Sequence, residues 1–132
     1  MTQQAVTAEE IMQLVPGPGL DAAITRALAK YIDELPLAWS IAPSAAVLLW
    51  TTIENHIGMV GVVRMGVDSP NIISQMASIG EENDRTTVFT GSWMESLCKA
   101  FMLYENGHRG EYMHPEWERK MKQAPKRPEV LQ

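Results

Sequence analysis

The residues best suited to holding a charged, ring-bearing ligand gather late in the chain. Residues 104–119 read YENGHRGEYMHPEWER, which sets His108 and Arg109 close to Tyr104, Tyr112 and Trp117. A guanidinium forks onto phosphate oxygens and aromatic rings stack on bases, so this mixture suits nucleotide recognition. The same composition also suits a segment that folds back over a sheet or onto a partner subunit, with its aromatics as apolar anchors. The two readings coincide if a ligand lies between subunits. Earlier in the chain, Arg64 and Arg85 are the cations of the strand-like region and Phe89 is its aromatic. An arginine in an otherwise apolar strand either points to solvent or serves an anion. The candidate ligand-binding set is therefore Arg64, Arg85, Phe89, His108, Arg109, Tyr112 and Trp117.

Other reactive types lack the spacing that catalysis requires. His56, His108 and His114 form no helical i, i+4 pair, although His108 and His114 with Glu111 would make a metal site if they met in space. Glu81, Glu82 and Asp84 cluster in a polar stretch, where a solvated hairpin tip is the simpler reading than acid–base work. Cys98, the single cysteine, sits in an apolar helical pattern and reads as a small buried hydrophobe. No Gly-x-Ser-x-Gly, no phosphate-binding Gly-x-x-x-x-Gly-Lys and no Gly-x-Gly-x-x-Gly occurs. Gly17-Pro18-Gly19 is a helix break, since a proline removes a donor that a phosphate cradle would use. The expectation is a protein without a catalytic set, a metal or a cofactor.

The elements that must position these residues follow from periodicity and punctuation. Thr7-Ala-Glu-Glu10 is a capping box opening a short helix that stops before Pro16. A second helix is predicted over 20–35, with Leu20, Ile24, Leu28, Tyr31 and Leu35 as its stripe and Pro36 as its stop. Pro43 suits the first turn of a third helix, with Ala46, Leu49, Trp50, Ile53 and Ile57 on its apolar face. The period then becomes extended. Strands are predicted over 59–65, 71–78 and 85–90, joined by the turn at 66–70 and the polar loop at 80–84. Short connections imply an antiparallel meander. Ser92-Trp-Met-Glu95 is a second capping box, and Met94, Leu97, Cys98, Phe101 and Met102 follow it at helical spacing until Asn106-Gly107. The sequence thus predicts an α+β fold: a three-layer α-β-α sandwich with a small antiparallel sheet of about three strands flanked by helices. Residues 1–107 make the single domain and 108–132 a polar C-terminal extension.

Bulk properties narrow the partners. A net charge of −5 disfavours a nucleic-acid polymer, whose binding rests on a basic face. Six of the eleven Lys and Arg nevertheless fall between Arg109 and Arg127, which leaves a local basic patch near the end of the chain. The start, MTQQAVTAEE, lacks the basic and apolar regions of a signal peptide, and no apolar run reaches a membrane span. A cytoplasmic protein without a membrane association is expected.

Several of these segments resemble the phage ABA sandwich family: the opening Thr-Ala-Glu-Glu-Ile-Met-Gln-Leu, Pro-Gly-Pro-Gly-Leu-Asp-Ala at 16–22, Ala45-Ala46-Val-Leu-Leu-Trp50, and Ser96-Leu-Cys-Lys-Ala100. The likeness covers most of residues 7–105. It departs in the second helix, which lacks a Val-Ala-Glu-Lys run, and at 43, where Pro-Ser stands in place of an acidic cap. The resemblance implies a phage accessory protein of α-β-α sandwich fold with no catalytic motif. Small phage proteins of similar design include anti-defence sponges that bind cyclic ADP-ribose-type signals or cyclic oligonucleotides without cleaving them. Three functions follow as expectations. The first is a homo-oligomeric, non-enzymatic binder of a nucleotide-derived immune signal in the host cytoplasm. The second is a module that binds a host or phage protein through its C-terminal extension. The third is a small phosphodiesterase, disfavoured by the missing motifs.

Overall fold

The computed structural model describes residues 7–33, 36–58, 60–67, 69–80, 84–113 and 119; of 62–67 and 69–76 the backbone alone is described. The fold is α+β. The chain runs α1 (Ala8–Gln13), α2 (Pro18–Leu28), α3 (Pro43–His56), β1 (Val60–Val67), β2 (Ser69–Ile79), β3 (Thr86–Thr90), α4 (Trp93–Glu105) and β4 (Gly110–Met113).

Both expected caps form. Thr7 Oγ1 accepts from the Glu10 amide at 3.1 Å, and Ser92 Oγ accepts from the Glu95 amide at 3.5 Å. At the far end of α4, the Gly107 amide donates to the Tyr104 carbonyl and the His108 amide to that of Leu103. This pairing requires a left-handed residue after the last turn, and Gly107 supplies it at φ +81°.

The second helix ends at Leu28, seven residues short of the expected stop at 35. Tyr31 carries on the apolar spacing but acts from a turn. Its hydroxyl donates to Glu105 Oε2 at 2.9 Å, and its ring lies 6.4 Å from that of Phe101. Those tertiary contacts outweigh the propensity of one more helical turn.

Among the described residues the sheet has four strands in the order β1-β2-β3-β4, and it is mixed rather than wholly antiparallel. β1–β2 and β2–β3 are the expected antiparallel hairpins. β4, which lies in the segment read as extension, runs parallel to β3 with Thr86 opposite Gly110 and Val88 opposite Tyr112. Parallel neighbours need a crossover, and α4 is that crossover, so β3, α4 and β4 form a β-α-β unit.

α4 packs on the sheet and also against α1, α2 and α3. That double contact accounts for its burial, with every residue from Glu95 to Leu103 inside. Leu97, Cys98, Phe101 and Leu103 join Ile11, Leu20, Ile24, Leu49, Ile53, Ile79 and Val88 in one core. Two polar knots tie the helices together. Lys99, 0% exposed, donates from Nζ to Glu95 Oε2 at 2.6 Å and to the Met12 carbonyl at 2.9 Å, fastening the end of α1 to α4. Asp21 Oδ1 accepts from the amide and hydroxyl of Ser40, whose Oγ accepts from the Gly17 amide at 2.9 Å. No described helix is long and apolar enough to cross a membrane.

Candidate functional site

Successive residues of a strand face opposite sides of a sheet. Thr86, Val88 and Thr90 are buried toward α4, and Thr90 Oγ1 lies 2.7 Å from Ser96 Oγ on that helix. Thr87 therefore belongs to the face turned away from α4. Its register row crosses all four strands: Gly61 opposite Ser78, Ser78 opposite Thr87, Thr87 opposite Glu111. A depression of about 340 Å³ opens over this row, with Val60, Gly80 and Arg85 completing its lining. Its volume falls at the lower end of the range for small-molecule sites.

Three features give the depression chemical character. On its floor Ser78 Oγ and Thr87 Oγ1 are 3.0 Å apart and hydrogen-bonded, and Thr87 is only 6% exposed. A hydroxyl pair shares one proton between its members and keeps a second donor and spare lone pairs for a guest. Gly61 leaves room, since a Cβ built on it meets nothing within 4 Å. Arg85 and Glu111 are both exposed, and neither forms an ion pair or side-chain hydrogen bond among the described residues. The site thus offers five guanidinium donors, a carboxylate acceptor and a floor that does both.

The expected site residues divide around this depression. Arg85 lines it. Phe89 is half-buried one register row further along the same face, opposite Met113. Tyr112 lies on the other face, half-buried against the core, and its hydroxyl donates to the Arg109 carbonyl at 3.1 Å. Arg64 pairs with Gln75 in the row of Thr90, outside the Gly61–Glu111 row, and its side chain lies outside the described residues. Trp117, His114, Glu81 and Glu82 also lie outside the described residues.

Arg109 is held by its neighbours. Its Nε donates to Asp84 Oδ1, its Nη1 to the Tyr104 carbonyl at 2.7 Å, and its guanidinium sits 3.7 Å over the Tyr104 ring. Tyr104 closes the triangle by donating from its hydroxyl to Asp84 Oδ2 at 2.9 Å. The Arg109 hydrogen bond, and then that of Tyr104, hold the Asp84 carboxyl below its ordinary range. Burial, followed by the Asp84 hydrogen bond, pushes the Tyr104 phenol up. His108 contributes backbone: its carbonyl accepts from Thr86 Oγ1 at 2.8 Å and its ring is half-buried. Burial likewise raises the Cys98 thiol well above its usual range, which disfavours the thiolate a nucleophile needs. Among the described residues no three of His, Cys, Asp and Glu gather as a metal site.

Gly61, Ser78 and Thr87 were not singled out by sequence reasoning, which considered Glu111 only as a metal ligand beside His108 and His114. Their relation is one of strand register, and β4 is too short for alternation to reveal it.

An α+β domain with a polar depression on one sheet face is the class that fold and geometry define. No family model, curated protein or solved structure matches this chain.

Proposed function

We propose that this protein is a non-enzymatic binder that holds a small nucleotide-derived ligand in the depression over Gly61, Ser78, Thr87 and Glu111. The observation that carries this reading is the pairing of open groups there. Arg85 and Glu111 flank a hydroxyl floor while engaging no described partner. Nucleotides present an anion and hydroxyl donors on one small body, which complements a guanidinium and a carboxylate lining one depression without an ion pair between them. The Ser78 and Thr87 hydroxyls bond each other instead of a histidine, which favours holding over cleaving. The resemblance to the phage ABA sandwich family adds the setting: an immune signal of cyclic ADP-ribose or cyclic oligonucleotide type, sequestered in the host cytoplasm as counter-defence. A homo-oligomer that places residues of the C-terminal segment beside the depression is part of the same proposal.

The test is a thermal-shift screen against cyclic ADP-ribose isomers and cyclic di- and trinucleotides, run on the parent and on Gly61→Val. A ligand at a hundred times its Kd adds about 2.7 kcal/mol, several degrees for a domain of this size. The expected result is a shift in the parent that Gly61→Val abolishes, with the ligand recovered chemically intact. Because Gly61 has open space above it and no positive φ, the substitution fills the depression without straining the strand. A shift that Gly61→Val leaves unchanged would move the site elsewhere. No shift from any ligand would end the reading, and a hydrolysed ligand would replace binder with enzyme.

A further inference from the structure

We propose that Glu111 reads a vicinal diol, so that the depression selects ribose carrying free 2′- and 3′-hydroxyls over ribose esterified at the 3′ position. The inference rests on the sheet-face site proposed above and narrows its ligand class to the ADP-ribose type. Glu111 is exposed at the β4 end of the register row, directly opposite Thr87. Arg85 is two residues before Thr87, immediately ahead of β3, and lines the same depression. The two charges are not joined to each other.

A carboxylate accepts hydrogen bonds only, through two oxygens, and a cis-diol donates two in matching geometry. Ligand hydroxyls are therefore satisfied at Glu111, and a ligand phosphate is satisfied at Arg85. The reverse placement sets a phosphate against a carboxylate, where like charges repel. A 3′,5′-linked cyclic dinucleotide has no way to avoid that clash. Its ring carries a phosphodiester on both sides of each ribose, and its 3′ oxygen has no proton to donate. A nucleotide of the ADP-ribose type carries its phosphates on the 5′ side and leaves the diol free. The hydroxyl pair of Ser78 and Thr87 lines the same depression as the two charges and accommodates either a donor or an acceptor from the sugar.

The experiment is an NMR titration of the full-length protein with adenosine 5′-monophosphate, its 2′-deoxy analogue and 3′,5′-cyclic di-AMP. It is followed at the amides of Gly61, Ser78, Thr87 and Glu111 and repeated on Glu111→Gln. The expected result is adenosine monophosphate binding at least tenfold more tightly than either competitor, since each lacks one member of the diol and a hydrogen bond to a charged group is worth about that factor. Glu111→Gln should remove the preference, weakening adenosine monophosphate and leaving cyclic di-AMP unchanged or tighter. Equal affinities for the ribo and deoxy forms, or an equal loss of all three ligands in Glu111→Gln, would overturn the diol reading and leave the sheet-face site standing. Silence of all four amides toward every ligand would overturn the site itself, and the diol reading with it.

Discussion

Arg85 and Arg109 flank the join between β3 and β4, where the Gly110 amide donates to the Arg85 carbonyl at 3.1 Å. Their side chains have opposite fates. Arg109 is spent on Asp84 and the Tyr104 ring, while Arg85 stays open at the depression. Composition alone treats them alike, because what separates them is the single acidic residue that the fold brings to one of them. The Asp84–Arg109 contact has a pH signature. A carboxyl held below its unfolded value contributes stability above the unfolded pKa, near 3.9, and loses that contribution as pH falls through the lower, folded value. Arg109→Ala removes the largest cause of the depression. Following the Asp84 carboxyl carbon by NMR, we expect its titration midpoint to rise toward the ordinary aspartate value in the variant. The acid limb of the stability curve should flatten in parallel. An unmoved midpoint would assign the depression to Tyr104 instead.

Among the elements, α4 was the most legible in the sequence and β4 the least. The Ser92 cap, the stripe from Met94 to Met102 and the Gly107 stop are local signals, and each appears where expected. β4 has four residues, and its membership depends on pairing with β3 across the whole of α4, which no local pattern records. The depression failed to appear in the sequence for the same reason: Gly61, Ser78, Thr87 and Glu111 span fifty residues and meet only through register. Equally hidden was the buried pair beneath α1. Glu95 reads as the acidic half of a capping box, but its carboxylate accepts a hydrogen bond from the Lys99 ammonium. Breaking a buried pair strands a charge, whereas replacing both partners by apolar residues is often neutral. Glu95→Ala is therefore expected to cost about 3–5 kcal/mol in urea unfolding. The double variant Glu95→Leu with Lys99→Met should recover most of that loss. Because Lys99 also holds the Met12 carbonyl, the amides of α1 should exchange faster in the double variant. A double variant as unstable as the single one would mean that packing, not charge, sets the cost.

For the whole molecule, the decisive feature is that the fold closes only after the chain has passed Gly107. Residues 8–105 supply β1 to β3 and α1 to α4, yet the far edge of β3 is completed by β4. Three separate attachments hold that last strand. The Thr86 hydroxyl donates to the His108 carbonyl, the Gly110 amide donates to the Arg85 carbonyl, and Tyr112 packs against the core opposite Val88. At roughly 1 kcal/mol for each of these two hydrogen bonds and about 2 kcal/mol for a partly buried aromatic, β4 contributes on the order of 4 kcal/mol through them. That is a large share of the stability typical of a single domain. It also supplies Glu111, the acceptor of the proposed site, so stability and binding depend on the same four residues. A chain ended at Gly107 is therefore expected to unfold at a clearly lower urea concentration and to lose ligand-induced stabilisation. A chain ended at Gly107 with an unchanged urea midpoint would make β4 an ornament on a self-sufficient three-stranded domain. In that case, restoring Glu111 alone would have no scaffold from which to act.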